Sequence, residues 1–592
     1  MRLAVTAAGL IGFLGGLTPQ IAMAQTVGGT TREEIEREPV APIPPSVGQR
    51  VTVEGDVERA PCPLAGPEFA DVRVTLRDVD FGDLRGISPD LLRGAWSQYA
   101  GQEMPIATVC EIRDRAATIL RRAGYLAAVQ VPPQRIENGV IKFDVLLARL
   151  VDFQVRGNAG RAEGLIAGYL SAIKDLPVFN IVKAERYLLL ARDIPGYDVR
   201  LTLRPAGGKP GEVIGEVLVQ YTPVEMDANV QNFGSKEVGR FGGLLQARFN
   251  GLTGLGDRTS IGIYSTAQAR EQQVVLLGHE FRVGREGLTI AGDFTYAWTK
   301  PSLGPALDLK SRTLVGALEA RYPLIRRQTR NLRVAGGMDL INQRTRFAGA
   351  PLTEDKLRVI YARIDGDVID SDSLASIDGY SASEPRFRFG GALELRQGIS
   401  AFNASKGCGP TLARCALPGV IPPTRVEADP TSFVVRASGY MEFRPTPLLA
   451  FAVAPRAQFA SNPLLSYEEF STGNFTVGRA YDPGTITGDS GIGVANEIRY
   501  GSLIPKSAKS ATFQGYGFFD AAWTWNKDTA FAGIDPQKLY SAGGGLRMAY
   551  GDRIRFDVAA AVPLKRAGLQ VKRGDVRILA NLTIKILPWL GR

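Results

Sequence analysis

ATFQGYGFFDAAWTWN, residues Ala511–Asn526, alternates with period two. Phe513, Gly515, Gly517, Phe519, Ala521, Trp523 and Trp525 share one face, and Gln514, Tyr516, Asp520, Thr524 and Asn526 the other, because successive side chains of a strand point to opposite sides. The first face is apolar and ends in two tryptophans; the second carries an acid and amides. A strand of a water-soluble sandwich more often hides its apolar face under a second sheet. An apolar face closed by aromatics, opposite a wet face, suits a strand of a membrane barrel with lipid on one side and an aqueous lumen on the other.

Upstream lies FTVGRAYDPGTITGDSGIGVANEIRY, Phe475–Tyr500. Arg479, Tyr481, Asp482, Pro483 and Gly484 stand in a Gly-rich loop with turn residues every few positions. An arginine inside a barrel wants a carboxylate, which its planar guanidinium can hold with two parallel hydrogen bonds. Asp520, on the polar face of the nearby strand, is the expected partner.

These residues resemble a known family, the outer-membrane transporters of two-partner secretion (the haemolysin and haemagglutinin secretion/activation proteins). In that family a long extracellular loop folds back into the lumen, and its Val-Arg-Gly-Tyr/Phe tip pairs with the aspartate of a Phe/Gly-x-Asp-x-Gly strand. Val477, Gly478, Arg479, Ala480, Tyr481 and Asp482 resemble the tip, in a loop at about 463–492, and Phe518, Asp520 and Ala522 resemble the strand. Three residues depart from the pattern: Gly478 separates Val477 from Arg479, Ala480 stands where glycine follows the arginine, and Ala522 replaces the last glycine.

At 592 residues the chain is too long for one ordinary core, and several domains are expected. Beyond the N-terminus no run is long and apolar enough for a membrane helix. A barrel escapes that test, because only every second residue faces lipid. The net charge of +10 comes from basic residues scattered singly along strands. They are read as lumenal arginines and headgroup contacts rather than as a nucleic-acid surface. Residues 1–24 read as a signal peptide, with Arg2, the apolar run Leu3–Leu17 and the small-residue site Ala22-Met23-Ala24; a membrane anchor fits less well, since the run is short and broken by glycines. Four cysteines in two local sets suit an oxidising compartment. Cys408 and Cys415 would close a small loop, and Cys62 and Cys110 would tie a linker to a helix. No histidine accompanies them, so no zinc site is read.

Residues 25–70 are expected to hold a short helix and a Pro-rich linker. Thr31-Arg-Glu-Glu34 is a capping-box pattern, Pro39 stops the helix, and Ala41–Ser46 is a spacer. Family members often carry a pore-plugging helix here. This one would run about 11 Å against a membrane core of about 30 Å, so a tail outside the pore competes with a plug. Residues 71–150 and 151–223 read as two α+β repeats with one element order, strand, helix, helix, strand, strand. The run AERYLLLARDIPGYDV, Ala184–Val199, resembles the second periplasmic POTRA domain of the family. A single α/β enzyme domain is the alternative, but no Gly-rich phosphate loop follows a strand and no nucleophile sits beside a base.

From 224 to 592 sixteen alternating segments follow, starting near Glu225, Phe241, Arg258, Gln273, Leu288, Arg312, Leu332, Leu357, Arg386, Ser432, Leu448, Gly493, Thr512, Leu539, Arg553 and Val576. The spacing of about 23 residues leaves a span of about 10 plus a turn. The fold class is thus α+β periplasmic modules followed by a 16-stranded antiparallel transmembrane β-barrel. Parity puts the Arg479 loop and Cys408–Cys415 on the extracellular side and Gly251–Asp257 in a periplasmic turn. It puts the acidic run Asp365, Asp367, Asp370 and Asp372 on the periplasmic side too, as a solvated loop rather than a calcium site. The lone His279 shares parity with Val275, Leu277 and Phe281 and points outward, so a Ser-His phospholipase in the lumen is not expected. The barrel-assembly signal is read at Trp589 or at an internal residue.

The resemblance implies a translocator in the outer membrane of a Gram-negative bacterium, with periplasmic N-terminal domains. It would export an unfolded partner exoprotein, of adhesin or haemolysin type, through its barrel without ATP. It would be a monomer that needs no cofactor or metal, sits in outer-membrane lipid and meets the barrel-assembly machinery during its own biogenesis. The rivals are an insertase of the same superfamily, marked by barely paired first and last strands, a solute porin, and last an enzyme.

Overall fold

The computed structural model describes residues 31–36, 51–53, 62–302, 308–375, 377–528, 535–568 and 573–588. The expected signal peptide, the spacer Ala41–Ser46 and Trp589 lie outside the described residues.

Sixteen antiparallel strands, from Val224–Gln231 to Arg577–Leu587, form one closed barrel in which each pairs with its neighbours in sequence. The alternation read in Ala511–Asn526 is the alternation of the wall. Gln514, Tyr516, Phe518, Asp520, Ala522 and Thr524 are buried inside, while Phe513 and Phe519 are exposed on the outer face. Outward-pointing Ile263, Leu318, Phe459 and Ile498 continue that apolar band, which in water would be a liability and in lipid is the stable arrangement. The seam is zipped: Met226–Gln231 pair with Asn581–Leu587. Asn229 Nδ2 donates across it to Asn581 Oδ1 at 2.6 Å and to Thr583 Oγ1 at 2.9 Å.

The observed strand starts follow the expected ones closely. The largest displacement is at the eighth strand, expected from Leu357 and found from Ala350. That strand runs for 20 residues, about 68 Å at ~3.4 Å per residue, far beyond the hydrocarbon layer. Its first turns carry Thr353, Glu354, Asp355 and Lys356, which show no lipid-facing alternation because no lipid lies there. The acidic run is likewise part strand. Asp365 and Asp367 belong to the wall, with Asp365 at 2.7 Å from Arg333 and Asp367 at 2.8 Å from Asn331, so arginine and amide partners extend the ladder through the acids.

The second module has a sheet ordered Val51–Val53, Tyr197–Pro205, Glu212–Tyr221, Arg149–Gly157. Helices Glu163–Lys174 and Ile181–Arg192 cover one face, and Ile166, Tyr169, Leu170, Leu188, Leu201 and Val217 form the core. Asn180 caps the second helix, accepting from the Val182 and Lys183 N–H groups at 3.0 and 3.2 Å. Val51–Val53 is a strand inside the span expected to hold only a helix and a linker; it lies parallel to Leu201–Leu203.

The first module has its own core of Leu76, Phe81, Leu92, Ile112, Leu120, Ile141 and Phe143. Its element order differs from that of the second. Three two-stranded pairs replace one sheet, and a short strand, Glu103–Pro105, precedes helix Thr108–Arg122. The first of the two helices expected in this module is broken into a 3-10 turn at Pro89–Leu92, one α turn at Arg93–Trp96 and another 3-10 turn at Ser97–Tyr99. Ser88 makes no side-chain cap bond there, and Gly94 weakens the middle. The disulfide Cys62–Cys110 fastens the start of the module to its long helix, with Cα atoms 5.7 Å apart.

The second module docks on the barrel turns nearest to it. Asp193 receives Arg326 at 2.6 Å, and its carbonyl receives Arg282 at 2.6 Å. Arg186 donates to the Pro323 carbonyl at 3.1 Å, and Tyr187 to Glu286 at 3.1 Å. The turn Gly251–Asp257 is shaped by Asp257, which accepts from the Leu252 and Thr253 N–H groups and the Thr253 hydroxyl at 2.6–3.0 Å. Glu185, between helix and barrel, accepts the Gln328 N–H at 2.8 Å; burial pushes its carboxyl pKa up against that bond.

Candidate functional site

The segment 461–489 leaves the eleventh strand, Leu449–Ala460, folds into the lumen and returns to the twelfth, Ser490–Gly501. A two-residue hairpin, Phe470–Ser471 against Thr487–Gly488, stiffens its stem. The tip turns at Gly478, whose φ of +111° admits no ordinary side chain, and a Cβ there would meet Leu539 at 2.7 Å. The glycine that departs from the family pattern therefore supplies the turn. Val477, Ala480, Tyr481 and Ala522 pack with Leu539 and Phe518 in one apolar cluster, which the alanines at 480 and 522 help to fill. The Tyr481 hydroxyl donates to the carbonyls of Tyr540 and Lys565 at 2.8 and 2.6 Å.

Beside this cluster the Arg479 guanidinium grips Asp520 with two bonds, Nη2 to Oδ1 at 2.7 Å and Nε to Oδ2 at 3.1 Å, and its backbone N–H adds a third at 2.9 Å. Its Nη1 donates to Glu497. The same group lies 3.8 Å from the Phe518 ring centroid, a cation–π contact. Asp520 is fully buried and also accepts the Ser541 hydroxyl at 3.1 Å. Glu497 opens a ladder along the wall: Arg547 and Arg499 reach it at 2.9 and 2.6 Å, Arg499 reaches Glu442 at 2.7 Å, and Arg547 reaches Asp557 at 3.0 Å. Sequence reading missed Glu497, Arg499 and Arg547, although NEIRY places the first two on the lumenal parity with Ala495. Asp482, at the end of the tip, meets Arg577 and Arg240 from the wall and its rim.

The base of the loop carries a second arginine that the sequence did not flag. Arg425, from the long connection between the ninth and tenth strands, meets Asp489, Glu469 at 3.0 Å and Asp528 at 2.9 Å, and donates to the Leu464 carbonyl at 3.0 Å. The same connection contains the disulfide Cys408–Cys415 and is tied to the eighth strand by Thr424, whose hydroxyl donates to Asp355 at 2.6 Å.

The short helix Arg32–Glu36 stands in the lumen, not outside it. Thr31 and Glu34 form the capping box, with the Thr31 N–H on the Glu34 carboxylate at 3.0 Å and the Glu34 N–H on the Thr31 hydroxyl at 3.3 Å. Ile35 is fully buried in a cluster with Tyr264, Ile341, Leu465 and Tyr467. Arg456 of the wall reaches Glu33 at 3.3 Å, and Tyr467 of the loop donates to Glu36 at 2.9 Å. Five residues suffice because the helix meets the folded-in loop rather than filling the bore alone. Cavities of about 660 and about 770 Å³ remain on its two sides. His279 lies on the outer face, 2.9 Å from the Thr259 hydroxyl.

A closed 16-strand barrel with an arginine-fastened inward loop, and α/β modules against one rim, defines the POTRA-and-barrel class of outer-membrane proteins, with the modules in the periplasm. Residues 216–548 match the family model of the haemolysin secretion/activation proteins ShlB/FhaC/HecB, and the chain belongs to that family. The heme/hemopexin transporter protein HuxB of Haemophilus influenzae (strain 86-028NP) is 23% identical over 256 residues, 42% of this chain and 44% of HuxB; the match thus spans under half the length of that relative. Among solved structures, CdiB from Escherichia coli superposes with a TM-score of 0.67 at 14% identity over 99% of this chain and 100% of CdiB. CdiB from Acinetobacter baumannii gives 0.63 at 16% identity, over 97% of each chain. At those identities the likeness is one of fold.

Proposed function

We propose that this chain exports an unfolded partner exoprotein from the periplasm across the outer membrane, through its own barrel and without ATP. The observation that carries the reading is a closed barrel whose bore is occupied by two elements outside its wall, the tip of the Arg479 loop and the helix Arg32–Glu36, each fastened by polar contacts beside one small apolar cluster. Such small contacts can be exchanged, so the tip and the helix can shift without unfolding the wall. A sixteen-strand wall is wide enough for an aqueous path once they shift. The modules at the periplasmic rim stand where an emerging chain would first be met, and folding of the exoprotein outside would give direction. The Arg479–Asp520 pair holds the loop in its working position.

An insertase is less well supported, because its lateral exit would need a weak seam and here Met226–Gln231 pair with the last strand. A solute porin has no use for the modules or the lumenal helix. The test uses purified protein in liposomes, no nucleotide, and a candidate exoprotein sought by inspecting the neighbouring reading frame for a large exported β-helical protein, added unfolded. Transfer of that exoprotein to protease-protected volume is expected; no transfer, or transfer only with ATP, would sink the reading.

A further inference from the structure

One sector of the barrel's outer face carries charge above its apolar band. It belongs to strands Gln272–Val283, Leu288–Thr299, Leu309–Arg326 and Arg330–Phe347. Their module-facing turns hold Glu286 and Pro323, so their other ends are extracellular. Near those ends the register sets Trp298 beside Arg312 and Arg312 beside Arg344. One step higher, Lys310 stands beside Arg346. All of these side chains are exposed on the outer face. Like charges directly opposite each other on neighbouring strands destabilise a sheet, and here two such pairs lie one above the other. Asp308 answers Lys300 and Lys310 at 3.5 and 2.9 Å, and Glu354 answers Arg344. Among the described residues, Arg270, Arg312 and Arg346 meet no carboxylate. A cavity of about 410 Å³ opens beside them, lined by Arg270, Gln273, Trp298, Lys300, Lys310 and Arg312.

Four residues nearer the periplasm on the same strands, about 14 Å at ~3.4 Å per residue, this face is dented. Gly316 lies beside Phe294 and Leu340, and Gly292 beside Leu318. A Cβ would meet nothing within 4 Å at Gly316 and nothing closer than 3.9 Å at Gly292. The missing side chains leave an apolar groove of about 560 Å³ whose walls include Leu277, Phe294, Leu318 and Leu340. Tyr296 and Trp298, with ring centroids 4.4 Å apart, stand between the groove and the cations. Aromatic rings of this kind mark the membrane surface on barrels. The groove therefore falls in the outer half of a hydrocarbon layer about 30 Å thick, and the cations stand at the headgroup level above it.

We propose that this sector is a binding site for a phosphorylated, multiply acylated glycolipid of the outer leaflet. Its phosphates lie between the opposed cations Arg312, Arg344, Lys310 and Arg346, and one of its acyl chains lies in the groove at Gly292 and Gly316. Guanidinium groups match phosphate oxygens with forked, charge-assisted hydrogen bonds, and an anion between two opposed cations turns their repulsion into attraction. A soluble polyanion would use the cations alone. The groove on the same strands, below an aromatic pair, favours the lipid. Strands Leu309–Arg326 and Arg330–Phe347 are 18 residues long and rise beyond the apolar band, so the bound headgroup would clamp their like-charged upper ends. The site goes beyond the export reading and needs only the orientation of the barrel.

The test uses the full-length protein in detergent, stripped of co-purifying lipid, titrated with purified lipid A and read by native mass spectrometry. Saturable binding of lipid A is expected. Lipid A without its phosphates, and phosphatidylglycerol, which has a single phosphate and two acyl chains, should each bind about tenfold more weakly. Equal binding of either lipid overturns the site. Arg312→Gln with Arg346→Gln should lose about tenfold in affinity for lipid A, and Gly316→Leu, which fills the groove, about threefold. Unchanged affinity in the arginine pair overturns the headgroup contact, and unchanged affinity in Gly316→Leu overturns the acyl contact. Heparin at equal molar concentration should not displace lipid A; displacement would assign the cations to soluble polyanions and overturn the lipid. The lipid panel is read on the unaltered protein, so the decision stands even if a variant fails to fold.

Discussion

Two arginines hold the inward loop, one at its base and one at its tip, and they are built differently. The Arg425 side chain is 3% exposed and faces Glu469, Asp489 and Asp528; among the described residues those three acids form ion pairs with no other cation. The Arg479 side chain is 17% exposed and faces Asp520 and Glu497, and Glu497 is shared with Arg499 and Arg547. Without Arg425, three buried carboxylates would lose their counter-charge. Without Arg479, Glu497 would keep two arginines, and one carboxylate, Asp520, would lose its counter-charge while keeping the Ser541 hydroxyl. The base is therefore a clamp that the fold cannot release, whereas the tip is a latch whose opening the surrounding ladder tolerates. Burial and charge balance separate the two roles; the residue type alone does not.

The largest effect should come from the clamp. Arg425→Ala is expected to cost about 3–5 kcal/mol, the range for breaking a buried ion pair from one side. It would be read as a lower temperature for loss of the folded band on gels and as cleavage of segment 461–489 by protease added to intact cells. If Arg479→Ala destabilises the barrel as much as Arg425→Ala, the distinction between clamp and latch fails. Arg479→Ala and Asp520→Ala should each cost a smaller ~1–3 kcal/mol and leave an inserted barrel, while export falls about tenfold or more, the equivalent of ~1.4 kcal/mol. Normal export by both variants would remove the latch from the mechanism. Arg479→Lys sharpens the point: it keeps the charge but loses the fork on Asp520 and the stacking on Phe518, so export between wild type and Arg479→Ala is expected. The smallest effect should be that of Arg547→Gln, under about 1 kcal/mol, because Glu497 keeps Arg479 and Arg499. A loss comparable with Arg425→Ala would show that the ladder, not the base, carries the load.

The latch was legible because both halves sit in patterned sequence. Arg479 stands in a Gly-rich loop and Asp520 on a strand whose parity alone assigns it to the lumen. Glu497 was within reach of the same parity reasoning. The clamp was not, since Arg425 lies in an irregular connection far from Asp489 and Asp528 in sequence, and no periodicity marks a loop residue. The lumenal place of Arg32–Glu36 was hidden for a related reason: its length predicts a poor plug, and only the loop beneath it makes the plug short enough. Val51–Val53 carried too few residues to announce a strand, which exists because a sheet edge is there to receive it.

What the amino-acid order determined by itself is the wall: sixteen strands, the side that each residue faces, and the pairing of Arg479 with Asp520. Period-two alternation is a local property, and lipid on one side with water on the other leaves little freedom once it is present. What only the tertiary structure decided is how the bore is filled and how the seam closes. Those depend on contacts between segments hundreds of residues apart, such as Arg456 with Glu33 and Asn229 with Asn581, whose free energy exists only once the barrel has brought them together.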